Sequence, residues 1–342
     1  MPLSSFPIAF SLPTIPPVPH HQQVNLNFGS TRRVVVNKTG GNVEFAVRSV
    51  SSGDTGGSSV QIDVPFPGDY EELLDQCHFE YLLCHFEKMI MTLGKRSNSG
   101  SFEGWNTVDE FVLHNFQPQE IEFPTAGLGS VPGDGEGGIE MTGSMQLIRE
   151  FCDLLIVPEK ATRTRIFFPE ANEVQFARKS AFGGASFKLD YLTKPSFFQD
   201  FGFVEAVKMV DRVKEEDELF VVGYPYFNVN EMLVVEELYR DAVAATTRQM
   251  IIFNGELDRI RSGYYPSFFY PKLAALSKTL FPKMETVYYI HNFKGRNGGT
   301  LFRCYPGPWK VLRRMGSRYV CVHQQEEMPT LKEVALDILP SA

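Results

Sequence analysis

The run Met250–Phe253 is apolar at every position and too short to stand as a helix. A strand covered on both faces reads this way, whereas a half-solvated strand alternates apolar with polar residues. Similar runs lie within Arg163–Phe168 and Glu218–Val222, and segments with helical spacing separate the three. Parallel neighbours need crossovers of about a dozen residues or more, so this alternation predicts a parallel sheet with helices on both faces.

Around those runs the chain divides into recognisable pieces. Asp69 and Glu72 have capping-box spacing and head a helix whose Tyr70, Leu73, Leu74, Cys77 and Tyr81 share a face. Glu120–Phe123 reads as a strand closed by Pro124, and a helix from Ser144 to Ile156 turns Ile148, Phe151, Cys152 and Leu155 inward. Asn228 and Glu231 have the offset to cap a helix over 230–245. The last third carries four short strands, 286–292, 300–305, 309–313 and 319–323, joined by brief Gly- and Pro-bearing connections. Connections that short suit antiparallel pairing. The expectation is a single α/β domain over 60–342, a three-layer sheet with helices on both faces, finished by an antiparallel β meander.

The N-terminal stretch differs in kind. No acidic residue precedes Glu44, while Arg32, Arg33, Lys38, many hydroxyl residues and several Pro are present. That composition predicts an organelle transit peptide over 1–48, followed by a Gly/Ser-rich leader over 49–59. Residues 77–119 also stand apart. Cys77-His78-Phe79-Glu80 recurs seven residues later at Cys84, and a run without helical or strand period follows. The Cys-His pairs match no familiar metal-ligand spacing, so no metal is expected there.

Charge and composition narrow the function classes. A formal charge of −8 disfavours binding to nucleic acid, which wants a basic field. No run of about 18 apolar residues is present to cross a membrane as a helix. Five Cys in 342 residues read as reduced thiols, although Cys304 and Cys321 would form a redox pair if their strands were neighbours. The glycine-rich GDGEGG within Val131–Gly138 carries two carboxylates and no Lys; it reads as a flexible turn, not as a phosphate loop.

Parallel strands bring the loops after their carboxyl ends to one rim, where ligands bind in open α/β sheets. Those loops carry Glu170 and Asn172 together with the candidate ligand-binding residues Asn228, Glu231, Asn254, Glu256, Asp258, Arg259 and Arg261. Carboxylates beside arginines suit a phosphorylated or carboxylated ligand, or acid–base work. The competing reading pairs Glu256 and Asp258 with Arg259 and Arg261 and leaves nothing for a ligand. No nucleophile elbow is present and His291 and His323 read as structural, so neither catalytic residues nor a cofactor are expected. Just beyond, Tyr264, Tyr265, Phe268, Phe269 and Tyr270 form an aromatic block, a candidate protein-contact surface where it is exposed.

The runs GDGEGGIEMTGSMQLIREFCD, RTRIFFPEANEVQFARKSAF, FKLDYLTKPSFFQDFGFVE, VGYPYFNVNEMLVVEELYR, NGELDRIRSGYYP and YYIHNFKGR together resemble a plant and cyanobacterial family. Its shared domain has no established biochemical activity. The resemblance covers 60–76 and 120–342 and implies a factor of the chloroplast stroma, with peripheral thylakoid association, that assists photosystem II assembly. The partners it implies are a photosystem II core antenna subunit and a second assembly factor. A related domain fused to an adenylate-kinase-like plastid protein implies the alternative, a nucleotide- or phosphometabolite-binding enzyme or sensor domain. The family supplies no catalytic residues. Residues 77–119 depart from its pattern, and a retained intron or misjoined exon is the expectation for them.

Overall fold

The computed structural model describes residues 23–28, 32–39, 42–49, 65–97, 117–131, 137–193, 209, 212–226, 230–295, 298–316 and 318–341. The chain divides into two units, Met1–Ile62 and Asp63–Ala342. In the first, over the stretch expected to be a transit peptide, β1 (Gln23–Phe28), β2 (Arg32–Thr39) and β3 (Asn42–Ser49) form an antiparallel meander. The register sets Val24, Val36 and Phe45 in one row and Leu26, Val34 and Val47 in another. Apolar residues at period two are what such rows need.

The second unit holds one nine-stranded sheet. Its strands are β4 (Gln119–Glu122), β5 (Thr164–Glu170), β6 (Lys188–Thr193), β7 (Leu219–Gly223), β8 (Gln249–Phe253), β9 (Glu285–Phe293), β10 (Gly299–Cys304), β11 (Trp309–Met315) and β12 (Arg318–Gln325). They lie in the order β12-β11-β10-β9-β4-β8-β7-β5-β6. From β9 to β6 all pairs are parallel, and from β9 to β12 all are antiparallel. The parallel half and the meander thus meet at β9.

Alternate residues of the central strands feed two cores. Ile166, Phe168, Val221, Ile251 and Phe253 pack with α1 (Tyr70–Ser97), α2 (Gly137–Leu155) and α3 (Ala171–Lys179). Phe167, Phe220, Val222, Met250 and Ile252 pack with α4 (Glu231–Leu238, prolonged by a wider turn over Tyr239–Val243) and α6 (Pro271–Thr279). Val334 and Leu339 of the closing helical segment cover Tyr289, Leu301, Trp309 and Val311 of the meander. These are the expected three layers, and they explain why the central runs tolerate no polar alternation.

Several local expectations shift. Glu72 N–H donates to Asp69 Oδ1 at 2.9 Å, but the Glu72 carboxylate accepts from Gly68 N–H, one residue earlier than a capping box requires. The α1 helix runs on through Cys77 and Cys84 to Ser97, and both thiols are fully buried. The first part of the atypical segment therefore belongs to the core, while residues 98–116 lie outside the described residues. The pairing of Cys304 with Cys321 does not hold, because β11 separates β10 from β12. Cys304 is buried and Cys321 exposed. The core of the GDGEGG loop also falls outside the described residues.

Candidate functional site

Strands β8, β7 and β5 are adjacent and parallel, so their carboxyl ends do share one rim. The ladder continues one residue past two of them: Tyr224 N–H donates to Phe253 O and Asn254 N–H to Ile121 O, both at 2.7 Å. Tyr224, Asn254 and Glu256 all have positive φ, at 37°, 53° and 45°. Left-handed backbone at a bulky residue costs energy and persists only where the surroundings enforce it. Gly255 sits between the last two because a Cβ there would meet Leu257 Cδ2 at 2.9 Å and Ile252 Cγ2 at 3.0 Å. This tight turn aims the next helix, α5 (Asp258–Arg261), back across the sheet.

The consequence is a buried ionic seam. Arg261 donates from both Nη atoms to the two oxygens of Glu120, each at 2.7 Å, and Thr286 Oγ1 donates to Glu120 Oε2 at 2.7 Å. Glu120 is fully buried on β4, and its bidentate partner supplies the charge-assisted bonds a carboxylate needs in that setting. Arg261 also lies 3.6 Å from Asp258 and stacks 5.1 Å from the Phe281 ring centroid. The Tyr289 hydroxyl donates to Asp258.

Carboxylates outnumber arginines here, and the protonation states reflect it. Burial, then the charges of Glu256, Glu120 and Asp258, push Glu122 well above the usual carboxylate range; the Glu256 N–H bond works the other way. Burial likewise raises Asp258, against the pull of Arg261. The Tyr289 phenol is driven well up by burial and by Asp258. Burial lowers His291, which stacks on Tyr289, to about 4. The seam can store a proton on Glu122, but its groups face one another.

Each predicted residue has a definite place. Asn254 is buried; its Oδ1 accepts from Phe123 N–H at 2.9 Å and its Nδ2 donates to Ser144 Oγ at 3.4 Å, tying β8 to β4 and α2. Glu256 pairs with Arg259 at 2.5 Å, and the Arg259 guanidinium lies 5.7 Å from the Tyr226 ring. Glu231 is buried at the start of α4, beside Tyr224. Asn228 lies outside the described residues. Glu170 caps α3 reciprocally with Glu173, whose carboxyl burial lifts to about 7. Asn172 is exposed. The hollow left between Pro225, Tyr226, Glu256, Arg259 and Tyr265 measures about 20 Å³, far below the roughly 300–1,000 Å³ of a small-molecule site.

The sequence reading missed Glu120, Glu122, Thr286 and Tyr289, which complete the seam. The signal was present in QEIEF: two acidic residues at alternate positions in a strand that the topology buries on both faces. Beyond the seam the aromatic block reverses the pattern. Tyr264 is 71% exposed, Phe268 87% and Phe269 72%, and Tyr270 is also exposed. Tyr265 is partly buried and meets Tyr264 and Tyr270 edge-on, at 5.2 and 5.5 Å between centroids.

Together the mixed sheet and its self-paired rim define a three-layer α/β protein whose most accessible chemistry is aromatic. The chain belongs to a family known by a shared domain of unknown function (DUF1995), whose model matches residues 106–336. That match takes in all nine strands of the large sheet and leaves α1 outside it. No curated protein and no solved structure matches the chain.

Proposed function

We propose that the protein is an assembly factor of the chloroplast stroma, working at the thylakoid periphery, that holds a photosystem II core antenna subunit during its incorporation. The reading rests on the long runs that resemble the plastid protein Low PSII Accumulation Three. The observation that carries its mode of action is the ledge of Tyr264, Phe268 and Phe269, three large aromatics exposed within six residues of chain. Exposed apolar clusters of this kind are characteristic of contact surfaces, and aromatics dominate the energy of such contacts. No helix among the described residues is long and apolar enough to cross a membrane, so recruitment falls to a surface such as this. The alternative, a nucleotide- or phosphometabolite-binding enzyme or sensor at the rim, gains no support from a hollow of about 20 Å³.

The test is capture of the core antenna subunit from thylakoid extracts by the tagged full chain, compared with a Phe268→Ser/Phe269→Ser variant. Wild type should retain the subunit and the variant should lose it. Equal capture by both proteins would remove the ledge from the account.

A further inference from the structure

At the opposite end of the strands, where β5 and β6 begin, the loop after α3 leaves a cavity of about 470 Å³. That is the scale of a small-molecule site, about 300–1,000 Å³. Its lining includes Arg165, Arg178 and Lys188 together with Phe187, which is partly open, and Phe182 and Leu189, which are buried beneath; no carboxylate is among them. Of the three lining cations, Arg165 and Lys188 are ion-paired, and Arg178 has no carboxylate partner among the described residues.

Carboxylates do stand behind the cations, where they position them. Buried Asp217 accepts from Arg165 Nε at 2.8 Å, from Arg165 Nη2 at 3.5 Å and from Lys188 Nζ at 3.0 Å, Glu216 accepts from Lys188 Nζ at 2.8 Å, and Asp190 accepts from Arg165 Nη1 at 3.2 Å. Arg165 still has N–H groups beyond those bonds, because a guanidinium carries five. Arg178 uses one bond, from Nη2 to Leu189 O at 3.2 Å; among the described residues the rest of its fork has no protein acceptor. The aromatic wall is held too. The Arg149 guanidinium lies 5.8 Å from the Phe182 ring and 5.6 Å from the Phe187 ring. Prepositioned donors beside a fixed apolar wall suit a ligand with one anionic and one apolar end, since little is spent on ordering the site.

We infer that this cavity binds an organic anion, its phosphate or carboxylate on Arg178, Lys188 and Arg165 and its apolar part against Phe182, Phe187 and Leu189. The inference stands apart from the aromatic ledge and does not depend on it. Both an anionic lipid headgroup and a soluble phosphorylated metabolite carry this chemistry. Phenyl phosphate serves as the probe, with inorganic phosphate as its control, in calorimetric titrations of the full chain. Phenyl phosphate should bind with a Kd on the order of 1 mM or tighter, and at least about tenfold more tightly than inorganic phosphate. Arg178→Glu should weaken phenyl phosphate about tenfold or more, and Arg178→Lys should retain most of the binding. Arg178 is exposed, so the melting temperature of the ligand-free Arg178→Glu variant should stay close to wild type. Sedimentation with phosphatidylcholine vesicles, with and without phosphatidylglycerol, separates the sources. Pelleting that needs the anionic lipid and Arg178 supports a headgroup, and phenyl phosphate binding without pelleting supports a soluble ligand. Absence of phenyl phosphate binding, equal affinity for inorganic phosphate, or unchanged affinity in Arg178→Glu would overturn the inference.

Discussion

Between Asn254 and Tyr270 the chain inverts the usual arrangement of a protein. Asn254, Asp258 and Arg261 turn their polar groups inward, whereas Tyr264, Phe268 and Phe269 turn their rings outward. Arg261 is mostly buried against Glu120, whereas Phe268 is nearly as exposed as a side chain can be. Charge density along a sequence therefore does not by itself mark an open site, because carboxylates and arginines at one rim satisfy one another first. Large apolar side chains left in water are the less common observation and carry more functional weight.

If the seam is structural, breaking it should cost far more stability than any change to the ledge. Arg261→Ala strands Glu120 and Asp258 without their cation and should destabilise by about 3–5 kcal/mol, the cost of leaving a buried charge uncompensated. Arg261→Met combined with Glu120→Gln should recover part of that loss. A double-mutant cycle in urea should return a coupling of about 1–3 kcal/mol. An Arg261→Ala cost under about 1 kcal/mol would mean that water reaches the seam, which would reopen the rim as a ligand site. Tyr289→Phe removes the hydroxyl that donates to Asp258 and should cost less, about 1.5–3 kcal/mol by the same measurement.

The frame of the fold was legible where the physics is local. Apolar runs such as Met250–Phe253 announced the doubly covered strands, and the brief connections after Thr286 announced the meander. The shared rim followed from parallel strands alone. The seam was only half legible, because Arg261 and Glu120 are 141 residues apart and nothing local reports that β4 lies next to β8. The alternating acids of QEIEF were informative only once β4 was known to be central. Exposure of Phe268 and Phe269 was also beyond local reading, since a Phe-rich run beside a helix start resembles core until the packing is seen.

Protonation offers a gentler comparison of the two regions. Burial lifts Glu173 from its ordinary 4.5 to about 7. The folded state therefore keeps a proton that the unfolded chain has lost, and its contribution is full below about pH 4.5 and fades as pH rises toward 7. Glu122 and Asp258 shift in the same direction. The melting temperature should accordingly fall between about pH 5 and pH 8, with Glu173→Gln flattening part of that fall. Gln keeps an acceptor for Glu170 N–H, so the α3 cap survives the change. An unaltered slope in Glu173→Gln would place the pH dependence in the seam alone.

The smallest effect expected on stability falls where the functional effect should be greatest. Phe268 and Phe269 touch one another edge-on, 5.2 Å between centroids, and both are largely open to solvent. Replacing both with Ser removes little buried area, so folding stability should stay within about 0.5 kcal/mol of wild type. Shortening the apolar surface in water can raise solubility as well, because an exposed cluster is an aggregation liability unless a partner covers it. A loss of about 2 kcal/mol or more in urea would show that the pair is packed in solution, and the ledge would then belong to the core instead of to a partner. Stability unchanged with capture of the antenna subunit lost is the combination the inverted arrangement requires. A core residue cannot produce it, since its removal would weaken the fold and the contact together.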